Sequence, residues 1–152
     1  MNKIQFLRNC VVVFFIISFS FVSCVKKDPV APNTGTILEQ YFESSVLNQN
    51  FIINLATNNG VDLTSNYNGY TFKLLKTDYY HGPLQVIKGA NSYSGTWSCN
   101  EDYSKLIITL PSAPSEFVFL TREWRFTKKE LPQLELAPWG TTDPVVLHML
   151  RQ

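Results

Sequence analysis

The chain has 152 residues, and 13 Lys and Arg against 12 Asp and Glu leave a formal charge of +1. A single folded domain is the expectation at this length. With 45% hydrophobic, 14% aromatic and 16% charged residues, the composition excludes an intrinsically disordered chain, and seven Gly and eight Pro exclude collagen-like and low-complexity classes. No Lys or Arg cluster forms a basic face, which argues against a nucleic-acid partner.

Met1 to Asn9 carries Lys3 and Arg8, and 13 uncharged residues follow from Cys10 to Val22 (CVVVFFIISFSFV) before Ser23 and Cys24. A basic start, an apolar stretch and a small residue make a secretory signal. The stretch is shorter than the roughly 17 to 25 apolar residues that a membrane-spanning helix needs. Phe21-Val22-Ser23-Cys24 resembles the lipobox of bacterial lipoproteins, with Phe where Leu is usual. That resemblance implies removal of residues 1–23 as a lipoprotein signal peptide and acylation of Cys24, which anchors an exported protein to a bacterial membrane. The outer membrane is the expected destination, with its face left open. A plain secretory signal cut after Ser20 is the alternative.

Residues 24–35 read as a flexible tether, because Pro29 and Pro32 prevent a helix or a central strand. Cys10 leaves with the signal and Cys24 carries lipid, so Cys99 has no intramolecular partner. The domain expected at residues 36–152 must then rely on its core rather than on disulfides.

Thr36-Ile37-Leu38-Glu39 has the form of a capping box. It predicts a short amphipathic helix over residues 36–47, with Ile37, Leu38, Tyr41, Phe42 and Val46 on the packed side and Glu39, Gln40 and Glu43 on the other. From residue 50 the hydrophobic period changes to two, and turn residues recur at short intervals. Strands are predicted at residues 50–57, 70–76, 84–88, 93–99, 105–110, 122–128, 133–137 and 145–150, and residues 117–120 suit either a helical turn or a short strand. In the first strand Phe51, Ile53 and Leu55 share one face. In the fourth, Tyr93, Gly95, Trp97 and Cys99 oppose Ser94, Thr96 and Ser98.

Eight short strands joined mostly by hairpin-length turns predict an all-β, eight-stranded antiparallel up-and-down barrel with one short N-terminal helix, since closure removes exposed edges. A two-sheet β-sandwich is the alternative. Phe51, Tyr70, Phe72, Tyr93, Trp97, Trp124 and Phe126 would point inward. A barrel of this size just holds its own side chains or one small ligand, so these rings predict a largely solid interior.

Residues 59–65 (NGVDLTS), 67–72 (YNGYTF), 95–98 (GTWS) and 123–126 (EWRF) resemble corresponding stretches of the lipocalin-like lipoproteins of gut and environmental bacteria. The likeness covers roughly residues 51–150. The opening tryptophan of that family is absent, with Phe51 or Ile53 in its place, and the Tyr- and His-containing segment between the second and third strands is longer. The resemblance implies a lipid-anchored lipocalin-like barrel without assigned enzymatic activity and carries over no catalytic residue.

Chemistry is sparse. The two histidines, His81 and His148, occur in no HExxH, HxH or CxxC pattern, so no metal or cofactor is expected. GxSxG is absent, and Cys99 lies on the face of Trp97, where burial makes a thiol inert. Asp62, Asp78, Glu101, Asp102, Glu116 and Asp143 fall in loops without a pairing pattern. The loop aromatics Tyr67, Tyr79, Tyr80, Tyr103 and Trp139 are better candidates, because rings outside strands can stack on sugars or other flat ligands. A shallow ligand site at Tyr79, Tyr80, His81 and Trp139 is therefore expected, formed by the 78–81 and 139–143 loops on one barrel end. The expected function is that of a membrane-anchored, non-enzymatic binding or accessory module for a small or saccharide ligand. The alternatives are a carbohydrate-binding or hydrolytic accessory protein and a structural subunit of an envelope complex.

Overall fold

Alternating side chains give each strand one apolar face, and the only way to hide all of these faces together without a free edge is to close the sheet on itself. The computed structural model describes residues 35–152. The helix α1 (Ile37–Ser45) comes first, then β1 (Asn50–Asn58), β2 (Val61–Asp62), a 3-10 turn (Thr64–Tyr67), β3 (Tyr70–Leu74), β4 (His81–Lys88), β5 (Asn91–Cys99) and β6 (Lys105–Thr109). The one-turn helix α2 (Phe117–Leu120) precedes β7 (Arg122–Lys128), β8 (Gln133–Pro138) and β9 (Val145–Arg151). From β3 to β9 each strand pairs antiparallel with the next, β1 pairs with β3, and a β1–β9 pairing closes the ring. This is the eight-stranded up-and-down barrel expected from the sequence, and not a sandwich. The extra strand β2 folds back on the end of β1 through the Asn59-Gly60 turn, whose φ angles of 50° and 81° suit Asn-Gly. The expected signal peptide, Cys24 and the expected tether up to residue 34 lie outside the described residues.

Two elements depart from the simple period. In β1 the pairing with β9 slips between Ile53 and Leu55, so Asn54 is a bulge and the inward set becomes Phe51, Ile53 and Ala56 instead of continuing to Leu55. In α1 the expected faces are partly exchanged. Phe42 and Val46 are buried as expected, but Glu39 is buried too, while Ile37, Leu38 and Tyr41 are 88%, 40% and 44% exposed. The helix is rolled this way because Phe42 enters the barrel end between Trp97, Tyr103 and Phe126, at ring-centroid distances of 5.9, 4.4 and 6.4 Å, and Glu39 finds hydrogen-bond donors beneath it.

The interior is filled. Phe51, Phe72, Trp97, Trp124, Leu106, Leu134, Leu136 and Leu147 are at most 2% exposed, and Tyr93 and Phe126 are partly buried against the same core. At about 200 Å² of ring surface and roughly 25 cal/mol per Å², each buried tryptophan contributes on the order of 5 kcal/mol before entropy. The α2 end is covered by Phe117, whose ring meets Tyr70 and Tyr93 at 5.5 and 5.2 Å.

Strand β4 begins three residues earlier than the sequence suggested, so Pro83 lies inside it and pairs with Thr96. Leu75 donates its amide to Pro83 O at 2.8 Å, but Pro83 has no N–H to return, and Leu75 O instead accepts the indole Nε1–H of Trp97 at 2.8 Å. Gly82 makes room, since a Cβ there would sit 2.0 Å from Leu75 O. Gly95 is as restricted, because its Cβ would lie 2.2 Å from Thr109 O and 2.7 Å from Leu110 Cδ2. Gly95→Ala is therefore expected to cost about 1 to 3 kcal/mol by overpacking, against less than about 0.5 kcal/mol for Ser94→Ala on the exposed face. Trp97→Ala is expected to cost about 3 to 5 kcal/mol as a cavity. Urea unfolding midpoints of the three variants check this ranking.

Candidate functional site

An up-and-down barrel places alternate connections on opposite ends. The 75–80 connection between β3 and β4 lies at the α1 end, whereas the 139–144 connection between β8 and β9 lies at the other. The structure therefore separates the four residues expected to form one site. Tyr80 is hydrogen-bonded to Glu39 of α1, Tyr79 lies against Gly35 just before it, and His81 follows them, exposed, at the start of β4. Trp139 is on the outer wall, 37% exposed, with its backbone amide on Glu123 O at 3.0 Å and Lys105 Nζ 4.6 Å over its ring.

Most of the α1-end group serves the fold. The carboxylate of Glu39 accepts the hydroxyl of Tyr80 and the backbone amide of Thr36, completing the capping box with Glu39 N on Thr36 Oγ1 at 3.2 Å. The Tyr80 hydroxyl bond, followed by the Thr36 amide, holds Glu39 below the usual carboxylate range. The same carboxylate pushes the Tyr80 phenol up to about 12. Tyr80 stacks on Tyr103 at 5.7 Å, and Tyr103 donates to Tyr79 O at 3.0 Å. Tyr79 packs on Gly35 under the ammonium of Lys76, 4.0 Å from its ring centroid. Lys76 in turn pairs with Glu43 of α1 at 2.6 Å. His81 is exposed and its Nδ1 is 2.9 Å from Asp78 Oδ2. Of the loop aromatics, Tyr67 and Tyr103 are 2% and 1% exposed and belong to the core, so they offer no ring face to a ligand.

The Cys99 thiol and several of the loop acids are also engaged. Desolvation pushes the Cys99 thiol up to about 12. Asp62 accepts the amide of Thr64, Asp78 those of Tyr80 and His81, and Asp102 that of Ser104, at 2.7 to 2.9 Å. Asp143 accepts the Thr141 hydroxyl at 3.0 Å. These are turn-forming bonds within each loop. His148 lies in β9 with Gln133 Nε2 3.3 Å from its Nδ1 and Glu135 Oε2 3.9 Å from its Nε2. Among the described residues no three His, Cys, Asp or Glu side chains gather as metal ligands.

What sequence reasoning missed lies at the α2 end. A cleft of about 380 Å³ is lined by Leu63, Asn66, Tyr67, Ser115, Glu116 and Phe119. Glu116 is fixed there by Tyr70, which donates to its Oε1 at 2.8 Å, while Tyr67 donates to its backbone oxygen at 2.8 Å. Its own backbone amide, then the Tyr70 hydroxyl, keeps the carboxyl below its ordinary range. Beside the cleft the Arg122 guanidinium lies 4.9 Å over Phe119 and 5.2 Å over Trp124, and burial lowers its pKa. The period of two in Arg122, Trp124 and Phe126 was the available signal for an inward arginine. Nothing local pairs residues 63–67 with residues 115–119.

No family model, curated protein or solved structure matches the chain.

Because folding makes Glu39 more acidic, its network contributes stability above the ordinary carboxylate range and loses it as pH falls through the depressed folded value. Glu39→Gln is therefore expected to unfold at lower urea than wild type at neutral pH, with the difference shrinking below about pH 4. Urea midpoints measured across that range for both proteins check the sign.

Proposed function

We propose that this protein is a lipid-anchored, non-enzymatic accessory module of the bacterial cell envelope, of the lipocalin-like lipoprotein kind. The observation that carries this reading is the filled barrel: with Trp97 and Trp124 at 1% and 0% exposure in its interior, binding is confined to the surface. The Leu63–Phe119 cleft at the α2 end is then one place for a small ligand, with an ionised Glu116 and the polar groups of Asn66 and Ser115 around an apolar floor.

The non-enzymatic part is supported by Asp62, Asp78 and Asp102, each of which holds its own turn through a carboxylate oxygen, and by the suppressed thiolate at Cys99. The anchor is supported by the sequence around Cys24. Among the described residues no helix is long and apolar enough to cross a membrane, so the lipid on Cys24 would supply the attachment. Several acyl chains, at about 0.8 kcal/mol per buried methylene, give a hold that one chain does not.

Metabolic labelling with a palmitate analogue tests the anchor. Wild type is expected to take up label and fractionate with membranes, and Cys24→Ala to lose the label and become soluble. Unlabelled wild type would overturn the reading.

A further inference from the structure

The row of α1 that carries Ile37, Leu38 and Tyr41 faces outward, against the ordinary preference of an amphipathic helix to turn such side chains toward its core. This exposure is built in, because four ties fix the roll of the helix. Phe42 is seated among the end-layer aromatics, Glu39 is held by Tyr80, Glu43 is held by Lys76 at 2.6 Å, and the Tyr41 hydroxyl donates to Lys129 O at 3.0 Å. Turning the apolar row inward would break all four.

We propose that this row is a second membrane contact, seating the α1 end of the anchored barrel against the bilayer and turning the Leu63–Phe119 cleft away from it. The inference rests on the anchored reading above.

Chain length argues for the bilayer as the occupant. Ile37 follows Cys24 by 13 residues, which span at most about 45 Å when fully extended. Acyl chains on Cys24 would therefore keep α1 within reach of the lipid surface at a high effective concentration. The acyl chains on Cys24 supply the attachment, so the apolar row adds orientation of the barrel on the surface. Tyr41, with an apolar ring and a hydrogen-bonded hydroxyl, has the chemistry of residues that collect at membrane interfaces. Lys26 and Lys27 on the connecting segment favour anionic headgroups.

Of the acidic groups near the row, Glu43 is paired with Lys76 at 2.6 Å, whereas Glu130 is exposed with Lys128 3.9 Å away. Glu101 and Asp102 in the β5–β6 turn of the same end are exposed, so the contact is a tilted one on the α1 rim. A second copy of the chain is a poorer occupant, because three side chains cannot supply the roughly 800 Å² per partner of a stable interface.

The test uses full-length protein whose Cys24 acylation is verified by intact mass, reconstituted in vesicles of phosphatidylethanolamine and phosphatidylglycerol. Nitroxide labels are placed at Ile37→Cys or, at the opposite end, at Val118→Cys. Both positions are exposed, at 88% and 61%, and Cys99→Ala is included in both proteins so that the introduced thiol alone takes the label. On reconstitution the Ile37 label is expected to lose broadening by a water-soluble nickel chelate and gain broadening by oxygen, while the Val118 label keeps its nickel broadening. An acylated protein whose Ile37 label stays as open to nickel as Val118 would overturn this inference and leave the anchor standing. Spin–spin broadening between Ile37 labels that persists in detergent would overturn it in favour of a second copy. Absence of acyl chains on Cys24 would overturn the anchored reading first and this inference with it.

Discussion

The indole of Trp97 holds the α1 end together. Its N–H satisfies Leu75 O, the carbonyl that Pro83 cannot serve, so a proline inside a barrel strand leaves no orphaned acceptor. Gly82 permits that approach by having no Cβ, and Phe42 of α1 packs against the ring at 5.9 Å. One side chain thereby couples the β3–β4 connection, the wall of the barrel and the helix that closes its mouth. Removing it would leave both a cavity and an unpaired carbonyl, and these two costs share one cause.

The same packing decides where chemistry can occur. Rings from β3, β5 and β7 meet in the interior, α1 and the 75–80 connection close one end, and Phe117, Phe119 and Tyr67 cover the other. Several polar groups serve the fold. Glu39 caps its helix and receives Tyr80, and the loop aspartates hold their turns. What remains open is the outer surface, including the Leu63–Phe119 cleft and the outward row of α1. The two lie at opposite ends of the barrel axis, which suits the anchored module proposed above.

Much of this was legible from the residues. The eight-strand pattern came through because turn residues and the period of two recur together, and the capping box at Thr36 and Glu39 marked the helix start. The roll of α1 was not legible, because apolar Ile37 and Leu38 satisfy a helical stripe as well as Phe42 does, and partners distant in sequence, such as Tyr80 for Glu39 and Lys76 for Glu43, choose between them. The grouping of Tyr79, Tyr80 and His81 with Trp139 failed although the strand count held the answer, since the second and seventh connections of an up-and-down barrel must lie at opposite ends. The cleft was hidden for a different reason: Asn66 and Glu116 meet through closure of the barrel, and sequence spacing carries no trace of that.

The solid interior is the claim on which the separation of surface function from barrel fold depends, and titration with a fluorescent fatty acid tests it most directly. A packed barrel is expected to show no saturable one-to-one uptake, apart from weak adsorption that Ile37→Glu at the exposed row of α1 removes. Stoichiometric uptake that is insensitive to changes at α1 and is lost when the interior is enlarged or filled, for example at Ala56 on the inner face, would contradict the account.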